Sequence, residues 1–218
     1  MKKHTVIRFV LATLLFFAGC KKDGDDTSII IKEDFVAVYK LPGIDWKFIS
    51  NNTAGIPAEW TQGSTGYKGS SGFPAYSYKN SGDEYAMIYG NYGYVGATIE
   101  ISGWMITRKV VLRNGDIIRF YTRSASQAGT DRMQLLLSET SDSYDVGNTP
   151  TSVGVFTKLL LDINPNQTAG AYPPDWTQQT VTISGLNGAT TTRLAFRYVV
   201  NGIQSSGVGV DEFSITRN

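Results

Sequence analysis

The chain lacks the side chains from which nucleophilic and soft-metal sites are built. Among its 218 residues there is one cysteine, Cys20, and one histidine, His4. A lone thiol cannot build a disulfide framework. With no imidazole beyond residue 4, the body of the chain has no Ser-His-Asp or Cys-His system and no nitrogen or sulfur site for zinc or copper. Charge is also sparse, at 18% of residues. The basic residues stand singly, so no track exists to follow a phosphate backbone, and nucleic acid is excluded as a partner. No window keeps the i, i+3, i+4, i+7 spacing of an amphipathic helix. No fixed period marks a propeller or solenoid.

What is present begins with a short apolar run. Lys2, Lys3 and Arg8 precede Val10 to Phe17, a stretch long enough for the core of a signal peptide and too short to cross a bilayer comfortably. It closes on Phe17-Ala18-Gly19-Cys20, which resembles the lipobox of bacterial lipoproteins, with Phe17 where Leu is usual. The resemblance implies diacylglycerol on the Cys20 thiol, cleavage after residue 19 and acylation of the new amino terminus, a combination that anchors stably. The other reading is a plain signal peptide followed by a chance cysteine. Removal of residues 1–19 takes away Lys2, Lys3 and Arg8 and moves the formal net charge from +1 to about −2. Asp23, Asp25 and Asp26 follow at once. They look like the acidic signal that sends Bacteroidetes lipoproteins to the outer face of the outer membrane, or they are simply a solvated tether. The expected organisation is a signal peptide over 1–19, a lipidated tether over 20–30 and one domain over 31–218.

That domain reads as β throughout. Gly, Tyr, Ser and Thr are plentiful, and the apolar residues recur in twos or short blocks bounded by Gly, Pro, Asn and Asp. Strands are expected at 110–112, 116–122, 132–137, 155–161, 179–183, 193–200 and 208–215, with short ones near 85–89. In 193–200, Leu194, Phe196 and Tyr198 share one face while Arg193, Ala195 and Arg197 share the other. Asn114-Gly115 is a tight-turn pair between Leu112 and Ile117. Many strands without crossover helices point to an antiparallel β-sandwich, and a jelly roll fits the length.

Landmarks along the chain resemble the choice-of-anchor J domains, relatives of the cleaved-adhesin domains. They are Glu33-Asp34-Phe35, Ile56-Pro57-Ala58-Glu59-Trp60-Thr61, Gly103-Trp104-Met105-Ile106-Thr107, Asp131 to Ser138, Trp176, Leu194 to Tyr198 and Gly207 to Phe213. The departures are Arg108, where Pro is usual, and a long interval between Phe35 and Trp60. The resemblance implies a jelly-roll sandwich used on cell surfaces for adhesion or carbohydrate contact. It also implies that the first and last strands lie close, bringing Glu33 or Asp34 beside Asp211. A structural calcium held by Glu33, Asp34 and Asp211 is the resulting expectation, since calcium takes oxygen ligands alone. Otherwise Asp211 caps a turn or pairs with an arginine.

For ligand contact the candidates are Tyr89, Tyr92 and Tyr94 in a Gly-rich loop and Tyr172 in a Pro-rich loop, because aromatic rings on loops stack well on sugars. Otherwise these rings cover the edge of a core. Asp83-Glu84 and Asp211-Glu212 are adjacent acids that would point to opposite faces of a strand, and no carboxylate pair for glycoside hydrolysis stands out. The expected protein is therefore a non-catalytic, lipid-anchored module at the outer membrane that faces the exterior and contacts glycan or another polymer. The alternatives are an adhesive component that binds surface proteins and, third, a polysaccharide-degrading enzyme.

Overall fold

A computed structural model describes residues 28–53, 58–65, 73–76, 82–90, 100–139, 142–201 and 204–217. The signal peptide, Cys20, the acidic run 23–26, Tyr92 and Tyr94 lie outside the described residues.

The fold is an antiparallel jelly-roll sandwich of two main sheets. The first sheet contains β1 (Ser28–Glu33), β3 (Thr61–Gly63), β4 (Tyr85–Ile88), β7 (Ile117–Ser124), β10 (Thr177–Thr182) and β13 (Val208–Arg217). Its order is β10-β7-β13-β4-β3, and β1 also pairs with β13. The second runs β2 (Lys47–Ser50), β5 (Glu100–Ile106), β12 (Leu194–Asn201), β8 (Met133–Leu137) and β9 (Lys158–Ile163). A small ladder joins β6 (Val110–Leu112) to β11 (Thr190–Thr192).

Strand β13 organises the first sheet. One side pairs along its length with β7. The other side is shared end to end, Val208 to Val210 with β4 and Phe213 to Arg217 with β1. The β7 register shifts between Asp211 and Ser214, where Glu212 takes φ 48. This is a bulge that bends the strand and re-aims its side chains. β1 reaches into residues expected to be tether: Ser28 is already opposite Arg217.

Alternation puts Ile118, Phe120 and Thr122 of β7 inside and Arg119, Tyr121 and Arg123 outside. Facing them, β12 turns Leu194, Phe196, Tyr198 and Val200 inward, as its two-residue period predicts. Edge-to-face rings run from Phe35 through Trp46, Phe213 and Phe196 to Phe120, with centroids 5.1 to 6.1 Å apart. Each such contact contributes about 0.5–1.5 kcal/mol beyond burial. The second sheet is covered on both faces. Trp104, Ile106, Leu136 and Ala195 on its outer side pack against Val146 and Phe156.

Asn114-Gly115 is a turn as expected, with Gly115 at φ 92, and the strands on either side find partners elsewhere: β6 pairs with β11, and β7 with β10 and β13. β9 starts at Lys158 and not at Val155, because Val155 donates to the Asp145 carbonyl in a turn around Gly154. Arg108 does not disturb register, since β5 ends at Ile106.

Candidate functional site

At one end of the sandwich the chain leaving β4, the β7–β8 connection and the chain entering β13 border an open cavity of about 630 Å³. Tyr89, Ala125, Ser126, Gln204, Ser205 and Ser206 line it. Backbone bonds hold the connections together: Ala125 donates to the Gly207 carbonyl at 2.9 Å and Thr130 to the Gln204 carbonyl at 3.0 Å.

Beneath the wall lies Asp131, wholly buried. Its Oδ1 accepts from the Tyr198 hydroxyl at 2.5 Å and from the backbone N–H groups of Ser206 and Gly207 at 3.0 and 2.8 Å. Its Oδ2 accepts from the Ser206 hydroxyl at 2.6 Å. A buried carboxylate is tolerated when its oxygens are satisfied in this way. Burial and the Asp131 charge both push the Tyr198 phenol up, keeping it a donor. Gly129 leaves room for the hub, since a Cβ there would sit inside the Asp131 carboxylate and the Ser206 hydroxyl. The described lining is uncharged: serine hydroxyls, the Gln204 amide, small apolar groups and one phenol ring. It can accept and donate neutral hydrogen bonds and stack one flat face.

The cavity continues into an aromatic layer on the outer face of the first sheet. Tyr89, Ala125 and Trp176 pack on Phe73, Tyr85 and Met87. Phe73 stacks on Tyr85 at 4.7 Å, and Arg123 lies 4.4 Å above the Phe73 ring. The segment carrying Phe73 is tied down at several points. Trp176 donates its indole N–H to the Pro74 carbonyl at 2.8 Å, and Asp211 Oδ2 accepts the Tyr76 N–H at 3.0 Å. Tyr76 in turn stacks on Tyr121 at 3.5 Å. Hydrogen bonding to Tyr76, then burial, pushes the Tyr121 phenol up to about 12.

A polar row on the outer face of the second sheet is closed instead. Arg197 donates to the Ser102 hydroxyl at 2.9 Å, to the Gln134 amide oxygen at 3.1 Å and to the Pro150 carbonyl at 2.5 Å, and lies 4.9 Å over Trp104. Burial, then the neighbouring Arg132 charge, pushes its guanidinium down to about 10. These partners use the group to hold the covering segment in place.

Of the residues singled out in the sequence, Tyr89 lines the cavity. Tyr172 does not: it is 1% exposed, its hydroxyl 2.7 Å from that of Thr122, so it is a core residue and presents no face to a ligand. Its loop folds inward and carries the ring under β7. The first and last described strands lie side by side as expected, with Glu33 opposite Phe213, two positions from Asp211. Glu33 Oε1 accepts the Phe35 N–H at 3.0 Å, while buried Asp211 accepts from Tyr76 and Glu212. No group of three His, Cys, Asp or Glu side chains among the described residues is close enough to hold an ion. Tyr76 and Tyr121 were not singled out in the sequence, and Asp131 and Trp176 were legible there only as landmarks. One available signal was Gly209: a Cβ there would meet Trp176 at 2.9 Å and Phe73 at 3.0 Å.

The chain matches no family model and no curated protein. Among solved structures it is similar to the K3 cleaved adhesin domain of Lys-gingipain from Porphyromonas gingivalis w83, with 20% identity, 88% of this chain and 99% of that one covered, and a TM-score of 0.59. It is likewise similar to the K1 cleaved adhesin domain of the same protein, with 22% identity, 88% and 98% covered, and a TM-score of 0.55. The fold is cleaved-adhesin-like. At these identities the likeness is one of architecture, and the chemistry of this cleaved-adhesin-like sandwich has to be read from its own residues.

Proposed function

We propose that the chain is a non-catalytic binding module, lipid-anchored through Cys20 at the outer membrane and facing the exterior, that takes a neutral glycan into the Tyr89 cavity. One observation carries this reading: the open cavity has an aromatic ring and uncharged hydroxyl and amide groups on its wall and no carboxylate among its described lining residues. Hydroxyl-rich, uncharged ligands match such a wall, with a pyranose face against Tyr89 and its hydroxyls toward Ser126, Gln204 and Ser206. Glycoside hydrolysis calls for two carboxylates across a groove, whereas the carboxylate nearest this wall, Asp131, has its oxygens engaged from within the fold.

An adhesin that binds proteins is the second reading. Its support is a separate apolar groove of about 520 Å³ between the edge strands β2 and β3, lined by Tyr39, Pro42, Phe48 and Trp60, with Tyr39 73% exposed. Exposed apolar surface of this kind marks protein contacts.

The test is a glycan-array and insoluble-polysaccharide screen of the Cys20→Ser chain lacking residues 1–19, with calcium and again with chelator. Binding that Tyr89→Ala weakens about fivefold or more supports the proposal. Glycan binding indifferent to Tyr89→Ala moves the site elsewhere. Absence of glycan binding, with capture of a surface protein lost in Tyr39→Ala, favours the adhesin.

A further inference from the structure

The opposite end of β13 carries a second, different groove. Its volume is about 340 Å³, and Ile30, Arg108, Lys109, Val111 and Arg217 line it. β13 itself measures the separation: it begins just after Ser206 and Gly207 at the cavity and ends at Arg217, ten strand residues or about 30 Å away.

Two chemistries meet there. Val111 is 46% exposed, and Ile29, beside Ile30, is 66% exposed. Three cations line the groove together with Val111 and Ile30. Arg217 is pinned by Asp116, with N–O distances of 2.8 and 2.7 Å, and also donates to the Val111 carbonyl at 3.0 Å. Lys109 pairs with Asp142 at 3.0 Å. Arg108 donates to the Ile30 carbonyl at 2.7 Å, its one hydrogen bond among the described residues. Once Asp116 and Asp142 are set against their partners, the groove keeps about one positive charge, centred on Arg108, with spare guanidinium donors beside exposed aliphatic groups. A fully solvated anion has no use for the apolar rim, and a nucleic acid requires a longer basic track. An amphiphile with an anionic head uses both.

Position fixes the source of that amphiphile. β1 begins at Ser28, eight residues beyond Cys20, so an extended chain places the groove within about 28 Å of an anchor at Cys20.

We propose that this end of the domain is a membrane-docking face, on which the phosphate of a bilayer lipid headgroup sits against Arg108 while Ile29 and Val111 enter the headgroup layer. This rests on the lipid-anchored reading for its location. Docking by one charge and two aliphatic side chains is weak alone, but a tether at Cys20 makes it intramolecular, with an effective concentration on the order of millimolar. The consequence is orientation: the Tyr89 cavity is held at the far end, away from the bilayer.

The sole thiol allows a test that bypasses cellular lipidation. The chain lacking residues 1–19 is coupled through Cys20 to maleimide lipid in phosphatidylcholine vesicles, or in vesicles with about one-third phosphatidylglycerol, and amide hydrogen exchange is read over 28–33 and 108–112. Exchange about twofold or more slower on the anionic vesicles is expected, with the difference abolished by high salt and by Arg108→Gln with Lys109→Gln. Val111→Asp gives the same loss without touching the Arg108 hydrogen bond, so a destabilised double variant still leaves the proposal exposed to failure. Equal exchange on both vesicle types overturns it, as does a difference that survives all the variants. Equal protection by inorganic phosphate without vesicles overturns the membrane assignment and leaves a free-anion site. The anchor reading fails separately, if labelled palmitate does not reach Cys20 in cells, and that result does not alter the vesicle comparison.

Discussion

Tyr198 of β12 and Asp131, just ahead of β8, meet at 2.5 Å with both side chains wholly buried. The contact ties the second sheet to the loop that closes the cavity. Tyr198→Phe removes one donor of four and is expected to cost about 1–2 kcal/mol. Asp131→Ala strands the Tyr198 hydroxyl and the Ser206 and Gly207 N–H groups together, and is expected to cost about 3–5 kcal/mol. Urea denaturation monitored by fluorescence measures both, and equal losses would mean that Asp131 is not the hub.

Tyr172→Phe separates core from site. The hydroxyl bonded to Thr122 is lost from a buried position, so stability should fall by about 1 kcal/mol. Ligand binding at the Tyr89 cavity should not change, and calorimetry on the same sample reads the two quantities independently.

Gly209→Ala puts a methyl group against Trp176 and Phe73, at 2.9 and 3.0 Å. The rings must shift, at a cost of about 1–3 kcal/mol. The Trp176 indole then loses its fit to the Pro74 carbonyl, so a change in tryptophan emission should accompany a lower melting temperature.

Stability should fall in acid for a traceable reason. Burial acting alone would raise the Asp116 carboxyl, but the Arg217 guanidinium and the Arg113 N–H outweigh it and hold the group below 3.8. The Tyr144 hydroxyl, then Arg193, hold Asp45 well below the usual range. A carboxyl lowered in the folded state binds its proton more tightly when unfolded, so its contribution is fully present above about pH 5 and is lost as pH falls through the folded value. Asp116→Asn should therefore lower stability at neutral pH by roughly 2 kcal/mol, less than for a fully buried pair because Arg217 is part exposed. It should also flatten the decline between about pH 5 and 3. Thermal melts of both proteins across that range are the check.

The architecture was legible wherever one face of a strand met solvent and the other met the core. β7 and the second half of β13 show this, and β12 was legible because small or polar residues alternate with large apolar ones even though both faces are covered. β5 was visible only through its landmark motif. Trp104 and Ile106 are buried on one side and Ile101 and Met105 on the other, which erases the period of two. The pairing partners of β6 were not legible, because a turn at Gly115 fixes local direction and says nothing about which distant strand supplies the ladder. For the site, Tyr89 could be picked as an aromatic residue leading into a Gly-rich loop. Tyr172 had the same local signature, and what separates them is tertiary: Tyr89 is half-buried on the cavity wall, whereas the other loop carries Tyr172 beneath β7. Asp131 was legible only as the first residue of a landmark strand, and its role depends on the chain entering β13, some 75 positions later, closing over it.

The end-to-end sharing of β13 between β1 and β4 has a consequence for the order of events in folding. The earliest described strand and the latest are hydrogen-bonded neighbours, and the latest is also the inner strand on which β7, β4 and β1 converge. A nascent chain therefore cannot complete its first sheet until β13 has emerged. Until then β7 and β4 have no common neighbour, and the ring series through Phe213 lacks its middle member. Contacts of such long sequence separation form late and slowly. A polypeptide wired this way stays open while it is being made or threaded through a pore, and becomes compact once its last strand is free.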